Sequence, residues 1–118
     1  LAFLEKVFKN KSGDVDIEEF LNSLDVEEET MPDADVYVKP ISLQHDSDGQ
    51  AVVDEIKQGN IVLLNIGDLS KRNAVKLREM VSVIKGEVET IDGDIARISA
   101  DRVLVTPARF KIIKRRGE

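Results

Sequence analysis

Residues 60–107 read NIVLLNIGDLSKRNAVKLREMVSVIKGEVETIDGDIARISADRVLVTP, and the spacing of their apolar positions decides the fold. Ile61-Val62-Leu63-Leu64 is an uninterrupted apolar run of four, a length matched only by Leu1–Leu4. A run this short and continuous predicts a strand over 61–66 buried on both faces. In 70–86, Ala74, Leu77, Met80, Val81 and Ile84 fall on one helical face; Ser70 can cap, Lys85 suits the last turn, and Gly86 reads as the stop. EVETI (87–91), DIARIS (94–99) and RVLVT (102–106) read as short strands, the last closed by Pro107. Asp92-Gly93 between two strand-like runs is a hairpin signal, because both central residues of such a turn need positive φ. A cation loop at Asp92-Gly93-Asp94 would need further oxygens and a bidentate glutamate that this spacing lacks.

Upstream, VYVKPISL (36–43) reads as a strand whose Pro40 suits an edge or an end. HDSDGQAVVDEIKQGN (45–60) reads as a helix, with Asp46 or Asp48 to cap it, Val52, Val53 and Ile56 inward, and Gly59 at its C-terminus. Downstream, RFKII (109–113) alternates at first and is a candidate edge strand. The order β-α-β-α-β-β-β predicts an α/β domain over 36–113, a compact sandwich of two helices on a small mixed sheet, followed by a basic tail at 114–118.

The N-terminal third has a different composition. Residues 12–35 carry ten acids and no base, whereas 1–11 and 36–118 each net +2. The formal charge of -6 is therefore the property of one segment, which reads as a flexible acidic linker. Within it, Ile17, Phe20, Leu21 and Leu24 recur at i, i+3, i+4 and i+7, with Asp14 or Asp16 able to cap. That pattern fits a partly helical tether or a short docking motif. On a helical wheel, Leu1, Phe3, Leu4, Val7 and Phe8 share an arc of about 160°, with Glu5, Lys6 and Lys9 opposite. This is the pattern of an interfacial amphipathic helix. At about 16 Å it is too short to be stable alone in water, so it is expected to fold on contact with a membrane, a partner or the domain.

The 118 residues, 42% apolar and 34% charged, fit one small domain with tails, a size that dimerisation would help to stabilise. The absence of cysteine rules out a disulfide framework, a thiol nucleophile and a cysteine metal site, and fits a cytosolic setting. No apolar run approaches the roughly 20 residues needed to span a bilayer, and the N-terminus has no secretory pattern. The chain opens on leucine, so the sequence is expected to be trimmed by a residue or more. His45 is the sole histidine and reads as a surface or capping residue. No nucleophile-elbow serine or glycine-rich phosphate loop is present; no enzyme activity, metal or cofactor is expected. The basic tail, Arg109 to Arg116, could meet anionic lipid or nucleic acid. With one tyrosine and no tryptophan, a base-stacking surface is poorly supported.

Taken in order, the strand Ile61–Ile66, the helix 70–86 ending in glycine, the strand 87–91, Gly93-Asp94-Ile95, and Leu104-Val105-Thr106-Pro107 resemble the SepF family of cell-division proteins, particularly its archaeal branch. The likeness covers about 36–110 and extends to the layout of a short amphipathic helix, a linker and an α/β domain. It implies a dimeric, non-enzymatic anchor that binds the C-terminal tail of the tubulin-like GTPase FtsZ and holds its filaments under the membrane at the division site. By the same resemblance, Leu1, Phe3, Leu4, Lys6, Val7, Phe8 and Lys9 would meet anionic lipid on the cytoplasmic face of the cell membrane. Arg97 would help bind the FtsZ tail, Val103 would line the apolar part of that pocket, and Ala74 is a further candidate for the same surface. Bacterial members often carry an aromatic residue where Val103 stands, so valine makes a smaller contact. Gly86 is a candidate for close self-association or simply a helix cap. The residues alone leave another reading open: a small regulatory or ligand-sensing α/β domain with a partner-docking N-terminal helix.

Overall fold

The computed structural model describes residues 13–25 and 31–114. The chain divides into two units, 1–33 and 34–118. In the first, helix α1 (Gly13–Asn22) runs through the segment read as a linker. Its Ile17, Phe20 and Leu21, and Leu24 in the turn beyond, are all exposed to 40% or more, so the periodicity marks a helix with a partly exposed apolar stripe. The amphipathic pattern of residues 1–11 lies outside the described residues.

The second unit contains β1 (Val38–Ser42), α2 (Asp46–Lys57), β2 (Ile61–Asn65), α3 (Gly67–Arg72), α4 (Ala74–Thr90), β3 (Asp94–Ser99) and β4 (Arg102–Thr106). The four strands form one mixed sheet in the order β1-β2-β4-β3. The β1–β2 pair is parallel, as a crossover through α2 requires; β2–β4 and β4–β3 are antiparallel. This is the expected α/β class, helices on a small mixed sheet.

Alternation along the strands separates the two faces. Val62 and Leu64 of β2 and Val103 and Val105 of β4 are buried with Val52, Val53 and Ile56 of α2 and Met80, Ile84 and Val88 of α4 in one core. Val62 pairs with Val105 and Leu64 with Val103, so these four point toward the helices together. Expected burial of β2 on both faces is realised on one: Ile61, Leu63 and Leu104 remain partly exposed, and Val38 of β1 is exposed beside them.

Three expectations are corrected. First, 87–91 is not a strand. Helix α4 passes through Gly86 and runs 17 residues to Thr90. An interior glycine costs a helix about 1 kcal/mol, but continuing the helix buries Val88 to 1% exposure, which is worth about 1.5–3 kcal/mol. Gly86 is therefore no C-cap. Second, Asp92-Gly93 is not a hairpin turn but the end of α4. Asp92 has φ 64, the Gly93 N–H donates to the Val88 carbonyl at 2.9 Å, and the Asp92 N–H donates to the Glu89 carbonyl at 3.2 Å. This is a Schellman cap with aspartate in the left-handed position. Third, 109–113 adds no strand. Arg109 has φ 68, which breaks an extended run, and the segment's N–H groups go to isolated partners instead of a ladder: Arg109 to the Asp92 carbonyl, Phe110 to the Pro107 carbonyl and Ile112 to the Asp94 carboxylate.

Caps also shift. Ser70 lies inside α3; the N-cap of α4 is Asn73, whose side chain accepts from the Lys76 N–H at 3.1 Å, a favourable capping residue. His45 is the N-cap of α2, and the Asp48 carboxylate accepts from the backbone N–H groups of His45 at 2.8 Å and Gln44 at 3.0 Å. Buried Asn60 joins α2 to β1: its Oδ1 accepts from the Tyr37 N–H at 3.0 Å and its Nδ2 donates to Glu55 at 2.9 Å. Burial opposes the charge on Glu55, but Asn60 and Lys39 outweigh it and hold its pKa below the usual value.

Candidate functional site

A groove of about 460 Å³ opens between α4 and β3. Helix α4 supplies one wall through Ala74, Leu77, Arg78, Val81 and Lys85, positions separated by three or four residues and so aligned along one helical face. Strand β3 supplies the other wall through Ile95, Ala96 and Arg97, and Val103 of β4 lies between them. Ile66 and Ser70 complete the lining. The groove is thus an open extension of the core: Val103 is buried, and Leu77 and Ile95 pack against the core cluster.

Ala74, Arg97 and Val103, which the family resemblance assigns to one surface, all line this groove. Arg97 and Val103 are cross-strand partners. Beyond them the ladder slips between Arg97 and Ser99, a bulge of the kind that re-aims side chains near sites. The Arg97 Nε–H donates to the Ser99 carbonyl at 3.0 Å, and its Nη2 donates to the Ala100 carbonyl. The guanidinium is therefore held along the β3–β4 turn.

Sequence reasoning missed Arg78 and Lys85. They line the same groove, and a signal existed: they lie on the helical face of Ala74, Leu77 and Val81. Three cations (Arg78, Lys85 and Arg97) and no carboxylate line the groove. Among the described residues none of the three forms an ion pair. Such a surface suits a ligand that is both apolar and acidic.

Gly86 lies away from this groove, exposed on α4, with open space where a β-carbon would stand. Val83, one turn earlier, is 64% exposed. Lys111 pairs with Asp92 at 2.7 Å and Lys114 with Asp94 at 2.6 Å, while the Ile112 N–H donates to Asp94 at 2.8 Å. The Lys114 hydrogen bond, supported by the Ile112 and Ile95 N–H groups, holds the Asp94 pKa down to about 2. Asp94 is thus a clasp for the C-terminal segment and not a cation ligand; no cluster able to hold a metal exists among the described residues. Nor is any described helix long and apolar enough to cross a membrane.

Comparison with known proteins places this geometry. The family described as cell division protein SepF matches residues 38–112. Cell division protein SepF of Limosilactobacillus fermentum is 34% identical over 65 residues, 55% of this chain and 40% of that protein. The Staphylococcus saprophyticus protein of the same name is 32% identical over 66 residues, 56% of this chain and 31% of its own length. The chain thus matches less than half the length of these curated relatives. Among solved structures, the SepF-like protein from Pyrococcus furiosus superposes with a TM-score of 0.62 at 30% identity, over 71% of this chain and 100% of that one. The SepF-like protein from Archaeoglobus fulgidus gives 0.63 at 23% identity, covering 70% and 98%. SepF from Methanobrevibacter smithii, solved in complex with FtsZ-CTD, gives 0.60 at 17% identity, covering 67% and 99%. These last two likenesses concern the fold alone. With its family match spanning 38–112, the chain belongs to the SepF family of cell-division proteins.

Proposed function

We propose that this protein is a non-enzymatic tether that binds the C-terminal tail of FtsZ and holds FtsZ filaments at the membrane of the division site. The observation that carries the reading is the convergence of Ala74, Arg97 and Val103 on one cation-rimmed apolar groove. The complex of the Methanobrevibacter smithii protein with FtsZ-CTD supports the choice of partner. Residues 1–11 supply the lipid contact through Leu1, Phe3, Leu4, Val7 and Phe8, with Lys6 and Lys9 toward anionic headgroups. Residues 12–35, strongly acidic, repel both themselves and the lipid surface and so keep the 36–113 domain clear of the cytoplasmic face of the membrane.

Dimerisation completes the mechanism. One short helix binds lipid weakly, and a second helix on the same dimer binds by an intramolecular step that multiplies affinity. A filament that arrays many dimers extends the same effect. The partly exposed sheet face of Ile61, Leu63 and Leu104, with Val38 beside it, is an apolar surface for a second copy, and the bare backbone at Gly86 is a second point of close approach.

The test is co-sedimentation of the full chain with anionic liposomes, with and without FtsZ. The intact protein should pellet and carry FtsZ with it. A variant lacking 1–11 should stay in solution yet still bind the FtsZ tail. If the truncated protein pellets equally well, the anchor is elsewhere.

A further inference from the structure

We infer that the groove takes its peptide as an added β-strand along β3, with the acidic side chains of that peptide set against Arg78 and Lys85. This rests on the peptide-binding reading above and concerns how the peptide is held. β3 is the terminal strand of the sheet, and an edge strand offers unpaired backbone groups to another chain. The direction of those groups is fixed by one contact. The Ile95 N–H donates to the Asp94 Oδ1 at 2.9 Å and so faces away from β4. Since outward and inward residues alternate in an antiparallel pair, the Arg97 backbone groups likewise face away from β4, out from the sheet edge. Among the described residues, no backbone hydrogen bond outside the sheet occupies Ala96, Arg97 or Ile98.

Among the described residues, both ends of the unoccupied edge are defined. At its start, Ile112 and Lys114 hold the Asp94 carboxylate, so the C-terminal segment stands at the first residue of β3. At its end, the bulge after Arg97 breaks the ladder. The open stretch is short, enough for a few residues of an extended peptide. Across the groove, Arg78 and Lys85 lie seven residues apart on α4, about 10 Å along the helix, or roughly three residues of extended chain. A peptide lying between strand and helix would therefore meet a backbone ladder on one side and two cations on the other. Val81, between those cations, and Leu77, beside Arg78, accept its apolar side chains. The occupant is thus an acid-bearing apolar segment; strand addition supplies main-chain bonds while the side-chain pockets select the sequence.

The experiment uses the full chain and the FtsZ C-terminal peptide. Three kinds of peptide are titrated: the unmodified one, a set each N-methylated at one backbone amide, and one with its acids replaced by amides. N-methylation at alternating positions should weaken binding by about tenfold or more while neighbouring positions tolerate it, and the Arg97 amide should gain exchange protection on binding. The double variant Arg78→Glu, Lys85→Glu should lose about tenfold toward the unmodified peptide and much less toward the amidated one. If the peptide binds, yet every N-methylated version binds as well and the Arg97 amide stays unprotected, strand addition is wrong although the site stands. Binding by the double variant equal to wild type removes the role of Arg78 and Lys85. Failure of the unmodified peptide to bind overturns this inference together with the reading it rests on.

Discussion

Arg97 and Val103 are direct partners in the β3–β4 ladder, so their side chains leave the sheet on the same face, one exposed and the other buried. The exposed partner also secures the turn, through Ser99 and Ala100. Arg97→Ala should therefore lower domain stability by about 1 kcal/mol independently of any ligand, readable as a shift in the denaturant midpoint. A stability equal to wild type would mean that the guanidinium does not hold the turn in solution.

Gly93 meets the strand end more closely than any side chain allows. A β-carbon there would overlap the Thr106 carbonyl oxygen and stand 3.2 Å from that of Pro107. Since the obstacle is backbone, it cannot swing aside. Gly93→Ala should cost about 1–3 kcal/mol or more, seen as a lower Tm with amide shifts centred on Thr106 and Pro107. An unchanged Tm would contradict the close approach.

Gly86 is the opposite case. Open space surrounds its missing side chain, so Gly86→Ala should stabilise the isolated domain by about 1 kcal/mol through helix propensity alone. If a second copy packs on this backbone, the same change should reduce self-association in sedimentation experiments. A gain in stability with unaltered association would leave Gly86 no part in assembly.

Asp94 makes the C-terminal clasp sensitive to acid. Its carboxyl pKa falls from the ordinary 3.8 to about 2 in the folded protein. The unfolded chain therefore takes up this proton first as pH drops. The stabilisation is fully present above the ordinary value and is lost as pH falls from about 4 through about 2. Exchange protection of the Ile112 amide, followed by NMR, should decline across that window in wild type. Asp94→Asn should remove most of the pH dependence.

These contrasts show what was legible in the residues. Val52, Val53 and Ile56 and the stretch Ala74 to Ile84 carry a helical period openly, and Ile61 to Leu64 form a continuous apolar run, so α2, β2 and most of α4 could be read directly, though not that only one face of β2 is buried. The end of α4 could not, because Gly86 is a strong local stop signal and only the tertiary burial of Val88 overrides it. The same distance effect hid the role of Asp92-Gly93: a cap and a hairpin ask for the same residues. Arg109 at positive φ gave no local warning that 109–113 would bond to Asp94 instead of pairing as a strand. At the groove, Ala74, Arg97 and Val103 entered through family likeness. Arg78 and Lys85 sat on a helical face already recognised as apolar, where their charge looked like solvent exposure until β3 was placed opposite.

The central claim is that this groove binds the FtsZ tail. Its most direct measurement is calorimetric titration of the protein with the FtsZ C-terminal peptide, wild type beside Arg97→Glu, with the fold of each checked in parallel. Binding by wild type and a loss of about tenfold or more in a folded Arg97→Glu variant is the expected result. Equal affinity in the two would contradict the assignment of the groove.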